Sequence, residues 1–263
     1  MKKVGIVFFL TVVLFLQVFS FGYAFENIRS MDVQSAAMGF VSDDMHHYQD
    51  GKLFSIDSVY SELFDLGLTY NAHKIKLFSS RVDFVLGIAS LLDKDIVDDL
   101  GYSEKGAFVQ LDYKVMDTLK VGACVEHEKY LLQEENIGNG WRNTVRIQTG
   151  PYACKLGNYE VGVSTGNIVR KFSSGREEKR AVDTELYFRL DNNSNLFAMS
   201  INKNEIHFGA EYSLSDHIIL RAGLNGKEPT FGLGVKLNRL KLNYAYWLSE
   251  AGATQLFGSS YSF

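Results

Sequence analysis

Ile206-His207-Phe208-Gly209-Ala210-Glu211-Tyr212-Ser213-Leu214 opens the stretch that decides the fold, and Ile218 to Leu224, Phe231 to Leu237 and Leu242 to Leu248 repeat its pattern. Ile206, Phe208, Ala210 and Tyr212 alternate with His207, Gly209, Glu211 and Ser213; Phe231, Leu233 and Val235 alternate with Gly232, Gly234 and Lys236. A period of two puts alternate side chains on opposite faces of an extended strand, so one face of every segment is apolar. The rule extends backwards. Ala107, Val109, Leu111, Tyr113 and Val115 alternate with Gln110, Asp112 and Lys114, and Val182, Leu186, Phe188 and Leu190 with Asp183, Glu185 and Arg189.

A soluble sandwich alternates in the same way, and the connections separate the two architectures. Read in order they run long and short: Asp93 to Gly106, then Met116 to Thr118; Gln133 to Gly140, then Leu156 to Asn158; Lys171 to Lys179, then Asp191 to Ser194. Tight turns at one end and longer loops at the other are the habit of outer-membrane barrels. Aromatic residues, 13% of the chain, gather near segment ends, as interfacial girdles require. The expected fold is all-β, an antiparallel transmembrane β-barrel of about 14 strands over residues 58–263. Glu62 to Tyr70 and Lys74 to Ser79 form the first pair, and without them the count is 12. Two prolines in the whole chain suit uninterrupted ladders.

The last segment ends Tyr261-Ser262-Phe263, with both rings on the face of Phe257. It is similar to the terminal signal read by the barrel-assembly machinery, which is one expected partner, with outer-membrane lipid the other. At the opposite end Lys2 and Lys3 precede an apolar run from Val4 to Phe21 and the small residues Gly22 and Ala24. That is the pattern of a cleaved secretory signal over residues 1–24. Export to a bacterial outer membrane is expected, with residues 25–57 as a periplasmic or lumenal segment. A net charge of −4 gives no basic face for nucleic acid.

With the apolar face outward, the alternate positions face a lumen. The candidate lumen-lining charges are Asp112, Lys114, Glu126, Arg146, Asp183, Glu185, Arg189, Glu211, Arg221 and Lys236, with Asp83, Lys120 and Glu160 on the same faces. Fourteen strands enclose roughly 25 Å of backbone diameter, too wide for side chains alone to fill. The charges either tune solute passage or only hydrate and brace the wall. Cys124 and Cys154 fall on neighbouring expected strands, and a cross-strand disulfide between them is open in an oxidising compartment. Of the six histidines only His207 shares a strand face with a carboxylate, Glu211, and a hydroxyl, Ser213. They are about 13 and 20 Å away along an extended strand, so no enzyme is expected. His46 and His47 beside Asp43 and Asp44 read as a polar loop, and neither a metal nor a cofactor is expected.

Two stretches resemble the FadL-like outer-membrane proteins, in particular the shorter PorV-type branch. Ser35-Ala36-Ala37-Met38-Gly39-Phe40-Val41-Ser42-Asp43-Asp44 is similar to that family's N-terminal small-Ala-Met-Gly segment with its acidic pair. Gln49-Asp50-Gly51 stands where the family has Asn-Pro-Ala. Leu220 to Phe263 is similar to the closing strands. The resemblance implies an N-terminal segment in or beneath the lumen, and Met38, Gly39, Asp43 and Asp44 become its candidate plug residues. In FadL-like transporters this segment plugs the route of hydrophobic solutes, whereas PorV-type members serve protein secretion and surface attachment. A solute-conducting or cargo-shuttling barrel is the resulting expectation, and a barrel that anchors a partner protein without transport is the alternative.

Overall fold

The structure, a computed structural model, describes residues 33–38, 54–63, 68–93, 101–192, 195–202, 205–250 and 252–263, without the side chains of residues 182 and 183. Fourteen antiparallel strands form one closed barrel: β1 (Phe54–Leu63), β2 (Leu68–Phe78), β3 (Val82–Asp93), β4 (Tyr102–Met116), β5 (Leu119–Leu132), β6 (Glu135–Cys154), β7 (Gly157–Phe172), β8 (Glu177–Asp191), β9 (Asn195–Ile201), β10 (Ile206–Ser213), β11 (Ile218–Asn225), β12 (Glu228–Leu237), β13 (Leu240–Ser249) and β14 (Gly252–Ser262). Each strand pairs with its sequence neighbours, and β14 returns to β1 in a register from Ser55↔Ser262 to Glu62↔Gln255. Phe263 extends the seam: its N–H donates to the Phe54 carbonyl at 2.9 Å, and its ring lies 5.2 Å from that of Phe54. Closure leaves no unpaired edge, as a sheet in lipid requires.

An apolar belt runs around the outer face, with polar pairs such as Ser58–His73 and Asn143–Asn167 set into it. Leu86, Leu111, Val145, Leu220, Leu233 and Phe257 all point away from the lumen and are 42–55% exposed. Such a surface is stable only against lipid, which makes this a transmembrane barrel. Among the described residues no helix is long and apolar enough to cross a membrane.

The predicted count of 14 stands, with different boundaries at its start. The first strand begins at Phe54, and Glu62 to Tyr70 spans the β1–β2 connection rather than forming a strand. Two predicted long loops are strand. Gln133 to Gly140 contains a two-residue connection, and β7 and β8 are joined by residues 173–176 alone. β6 consequently runs for 20 residues and β7 for 16, against 7 to 11 in β9 to β14. Polar residues lie on both faces of these upper extensions, where the outer face meets water, so the alternation that marks a lipid-facing strand is missing from them.

Replacing outward Leu233, at the middle of β12, by arginine is expected to lower the unfolding free energy in lipid vesicles by roughly 2–4 kcal/mol. Leu237→Arg, at the periplasmic rim of the same strand, should cost roughly 0–1 kcal/mol. Equal losses at the two positions in a denaturant titration would contradict the assigned bilayer span.

Candidate functional site: a barrel interior with two linings

A single helical turn, α1 (Val33–Ala37), stands inside the barrel against β11 to β14. Ala36 and Ala37 have no exposed surface and Met38, which follows, has 4%. Small residues on both sides permit this contact. Methyl groups added at Gly209 of β10 and Gly232 of β12 would collide with Met38 and with the Ala37 Cβ. Ala37 and Met38 thus meet glycines, Gly232 and Gly209, that alternate with lipid-facing apolar residues on β12 and β10.

Polar bonds fix the turn at both ends. At the upper end the Thr230 hydroxyl donates to the Ala37 carbonyl at 3.1 Å. Towards the periplasm Gln34 lies between two charged groups: its amide donates to Glu211 at 3.1 Å and its side-chain oxygen accepts from Lys241 at 2.6 Å. Glu211 in turn accepts from Arg221 Nε at 2.8 Å, and Arg221 Nη1 donates to Asn243 at 3.1 Å. Arg221 is fully enclosed, and its charge is paired within this clamp. A charge buried with its partner costs far less than one left alone, and the Glu211 oxygen that pairs with Arg221 also accepts from Gln34, so the helix and the ion pair share one carboxylate oxygen.

Above the helix, on the extracellular half, the wall turns apolar. Leu63, Tyr70, Trp247 and Leu256 pack with Ala36 and Ala37 in one buried cluster, and Leu68 and Leu91 lie against it. This lining belongs to β1, β2, β3, β13 and β14. The facing wall, β3 to β8, is ionic. Asp112 pairs with Arg146 and accepts from Gln110 at 3.1 Å. Arg142 approaches Glu126 at 3.6 Å, Lys120 approaches Asp83 at 3.9 Å, and Gln148 donates to Glu160 at 3.0 Å. Glu128, 1% exposed, is held by Tyr130 and by Arg170 at 3.7 Å. The ionic groups are braced against one another across the strands rather than arrayed singly.

Of the residues expected to line the lumen, Asp112, Glu126, Arg146 and Arg221 are buried on the inner face, and Glu211 is half-buried there. Glu185 and Arg189 share the inner face of β8 with buried Tyr187. Lys114 bonds Asp117 at the periplasmic rim, and Lys236 sits exposed at the same rim. The side chain of Asp183 lies outside the described residues. The register between β7 and β8 slips there, between Ser164 and Gly166, so the inner positions of β8 move from Glu185 to Arg180 and Glu178. Of the candidate plug residues, Met38 is buried inside the barrel beside Gly209, whereas Gly39, Asp43 and Asp44, like His46 and His47, lie outside the described residues. Gln34, Thr230 and the seats at Gly209 and Gly232 were not foreseen. A neutral amide carries no charge signal, though glycine opposite the apolar face at 209 and 232 was visible.

The disulfide is corrected. Cys124 and Cys154 are both free thiols. Cys124 pairs in register with Thr144 on β6, ten residues from Cys154. At about 3.3 Å per residue that is roughly 33 Å along the strand, far beyond the reach of an S–S bond. His207 is 2% exposed and faces the Asn202 amide at 3.4 Å and the Glu205 carboxylate at 3.8 Å, not Glu211 or Ser213.

No protein-family profile and no curated protein sequence matches the chain. Solved structures do. The toluene transporter TodX of Pseudomonas putida superposes with a TM-score of 0.61 at 11% identity, over 89% of this chain and 98% of TodX. The toluene transporter TbuX of Ralstonia pickettii gives 0.59 at 11% identity, over 91% and 100%. CdiB from Acinetobacter baumannii gives 0.51 at 9% identity, over 80% of this chain and 60% of CdiB. At these identities the likeness is one of fold, and it bears out the FadL-like barrel expected from the sequence. A PorV-type likeness is not among these findings.

Gly232→Leu is expected to unseat α1 and raise single-channel conductance in planar bilayers several-fold, while Ala222→Leu on the outer face leaves it unchanged. Unaltered conductance in Gly232→Leu would remove the helix from its assigned place. Two free thiols should titrate in the denatured, unreduced protein, and reductant should not alter gel mobility. A titre of zero would restore the bond.

Proposed function

We propose that this barrel lies in a bacterial outer membrane and conducts small apolar or amphipathic solutes, with the N-terminal helix as the gate. The observation that carries the reading is the apolar lining of Leu63, Tyr70, Trp247 and Leu256, which shares one buried cluster with Ala36 and Ala37 of α1, with Leu68 and Leu91 packed against that cluster. A lumen used only for bracing or for hydrophilic solutes has no need of an apolar entrance that ends on a seated plug. The fold shared with two toluene transporters supports the same solute class. Chemically the arrangement divides the work. The apolar sector desolvates a solute, the ionic sector of β3 to β8 keeps the opposite wall rigid, and the Gln34–Glu211–Arg221–Lys241 clamp sets the cost of moving the helix.

Binding in such an entrance gains on the order of 25 cal/mol per Å² of apolar surface removed from water, enough to concentrate a monoaromatic ring but not a sugar. The C-terminal aromatic pair Tyr261 and Phe263, whose rings lie 4.7 Å apart at the seam, supports delivery by the assembly machinery.

Purified full-length protein in liposomes should accelerate toluene entry well above the protein-free rate, with little effect on a sugar of similar size. Leu256→Asp should abolish most of the toluene flux while leaving the folded, heat-modifiable gel band intact. A sealed barrel that moves neither solute and co-purifies with a protein partner would favour the anchor reading instead.

A further inference from the structure

Among the described residues, the outer face above the lipid belt carries a row of charge on β4 to β8; elsewhere Glu62 is an exposed outward charge at the upper end of β1. Lys105 on β4 pairs in register with Lys129 on β5, Lys129 with Asn139 on β6, Asn139 with Lys171 on β7, and Lys171 with Glu177 on β8. These five positions form one continuous outward row across five strands. Lys179, next along the same face of β8, lies 3.2 Å from Glu177, which also reaches Lys171 at 4.0 Å. Of the four lysines, Lys171 and Lys179 share this one carboxylate. Lys105 and Lys129 are exposed, directly opposed like charges, and among the described residues neither has an ion-pair partner. Like charges directly opposite each other destabilise a sheet, so the row is unfavourable by itself and calls for an anion.

Its height indicates which anion. Lys105 lies ten residues above Val115 on β4, Lys129 ten above Leu119 on β5, Lys171 twelve above Tyr159 on β7 and Lys179 eleven above Leu190 on β8. A tilted strand crosses the hydrocarbon in about 9–11 residues, so the ammonium groups stand at the outer headgroup plane. Just below the row, outward Trp141 is 51% exposed and its ring lies 4.5 Å from that of His127, an aromatic pair suited to the interface. At the matching ends of β9 to β14 the outward residues are apolar, among them Ile201, Ile206, Leu224 and Leu248.

We propose that the lysine row of β4 to β8 binds the phosphate groups of an anionic glycolipid in the outer leaflet, which fixes this tall side of the barrel against the membrane surface. The lysines act as flexible point charges on phosphate, Trp141 lies at the boundary with the acyl chains, and Asn139 offers an amide in the middle of the row. Nothing in this inference depends on what the lumen conducts.

The test titrates bisphosphorylated lipid A into the full-length protein in zwitterionic-lipid nanodiscs, followed by native mass spectrometry. The variant Lys105→Gln/Lys129→Gln/Lys171→Gln/Lys179→Gln should bind about a hundredfold more weakly. The corresponding fourfold arginine variant should retain binding, and raised salt should weaken the native protein's affinity. All three proteins should keep the heat-modifiable band and the toluene flux, which separates failure here from failure of the transport reading. Equal binding by the glutamine variant overturns the proposal. So does displacement of the lipid by equimolar inorganic phosphate, which would mark a free-anion site, or by an acidic peptide, which would mark a protein interface.

Discussion

Everything in this molecule depends on closing the sheet. A backbone N–H or C=O left unpaired in lipid costs several kcal/mol, so a membrane-spanning sheet must return to its own first strand. Here the return is the ladder between β14 and β1, completed by the bond from Phe263 to Phe54. Closure at fourteen strands has a second consequence. The enclosed space is too wide for the wall's side chains to meet across it, and the interior must be hydrated, braced or occupied. This chain does two of these by sector, bracing one wall with cross-strand ion pairs and placing its own N-terminal turn against the other.

The two linings are physically coupled. Arg142–Glu126 joins neighbouring strands β6 and β5, whereas Arg146–Asp112 and Arg170–Glu128 each reach across an intervening strand, over Gly122 of β5 and Gly140 of β6, on the long side of the barrel. Such pairs contribute orientation more than net stability when both partners are desolvated. On the short side β9 to β14 carry glycine or small residues inward at 209, 232 and 234. Removing side chains from that wall makes the room that Ala36, Ala37 and Met38 occupy. The clamp around Glu211 and Arg221 brings charge into this half and is used on the helix, while Glu228, higher on β12, accepts from the Trp247 indole at 2.7 Å.

The sequence was most legible where the outer face meets lipid and the inner face does not, because only there does the alternation have full contrast. β10 to β13 could be bounded almost to the residue from Ile206 through Leu248. Contrast is lost above the bilayer, so Gln133 to Gly140 and Lys171 to Lys179 read as loops while the chain continues its ladder. Register is the other blind spot. The slip between Ser164 and Gly166 changes which residues of β8 face inward, and the ten-residue offset between Thr144 and Cys154 excludes a disulfide that strand adjacency alone allowed. In the N-terminal segment, the acidic pair Asp43–Asp44 attracted notice by its charge but lies outside the described residues, whereas the contacts of the helical turn come from Gln34 and from packing against glycines. Neither leaves a distinctive mark in a single sequence.

The position of the N-terminal turn inside the lumen is the claim on which the transport reading stands, and site-directed cross-linking measures it most directly. Cysteines at Met38 and Gly209, in a Cys124→Ser/Cys154→Ser background, should form an intramolecular bond in the folded, membrane-inserted protein, joining the N-terminal peptide to β10 in a proteolytic digest. Moving the second cysteine one residue, to outward-facing Ala210, should abolish the bond. Equal yields at 209 and 210, or none at either, would place the helix outside the lumen and contradict the plugged-channel account.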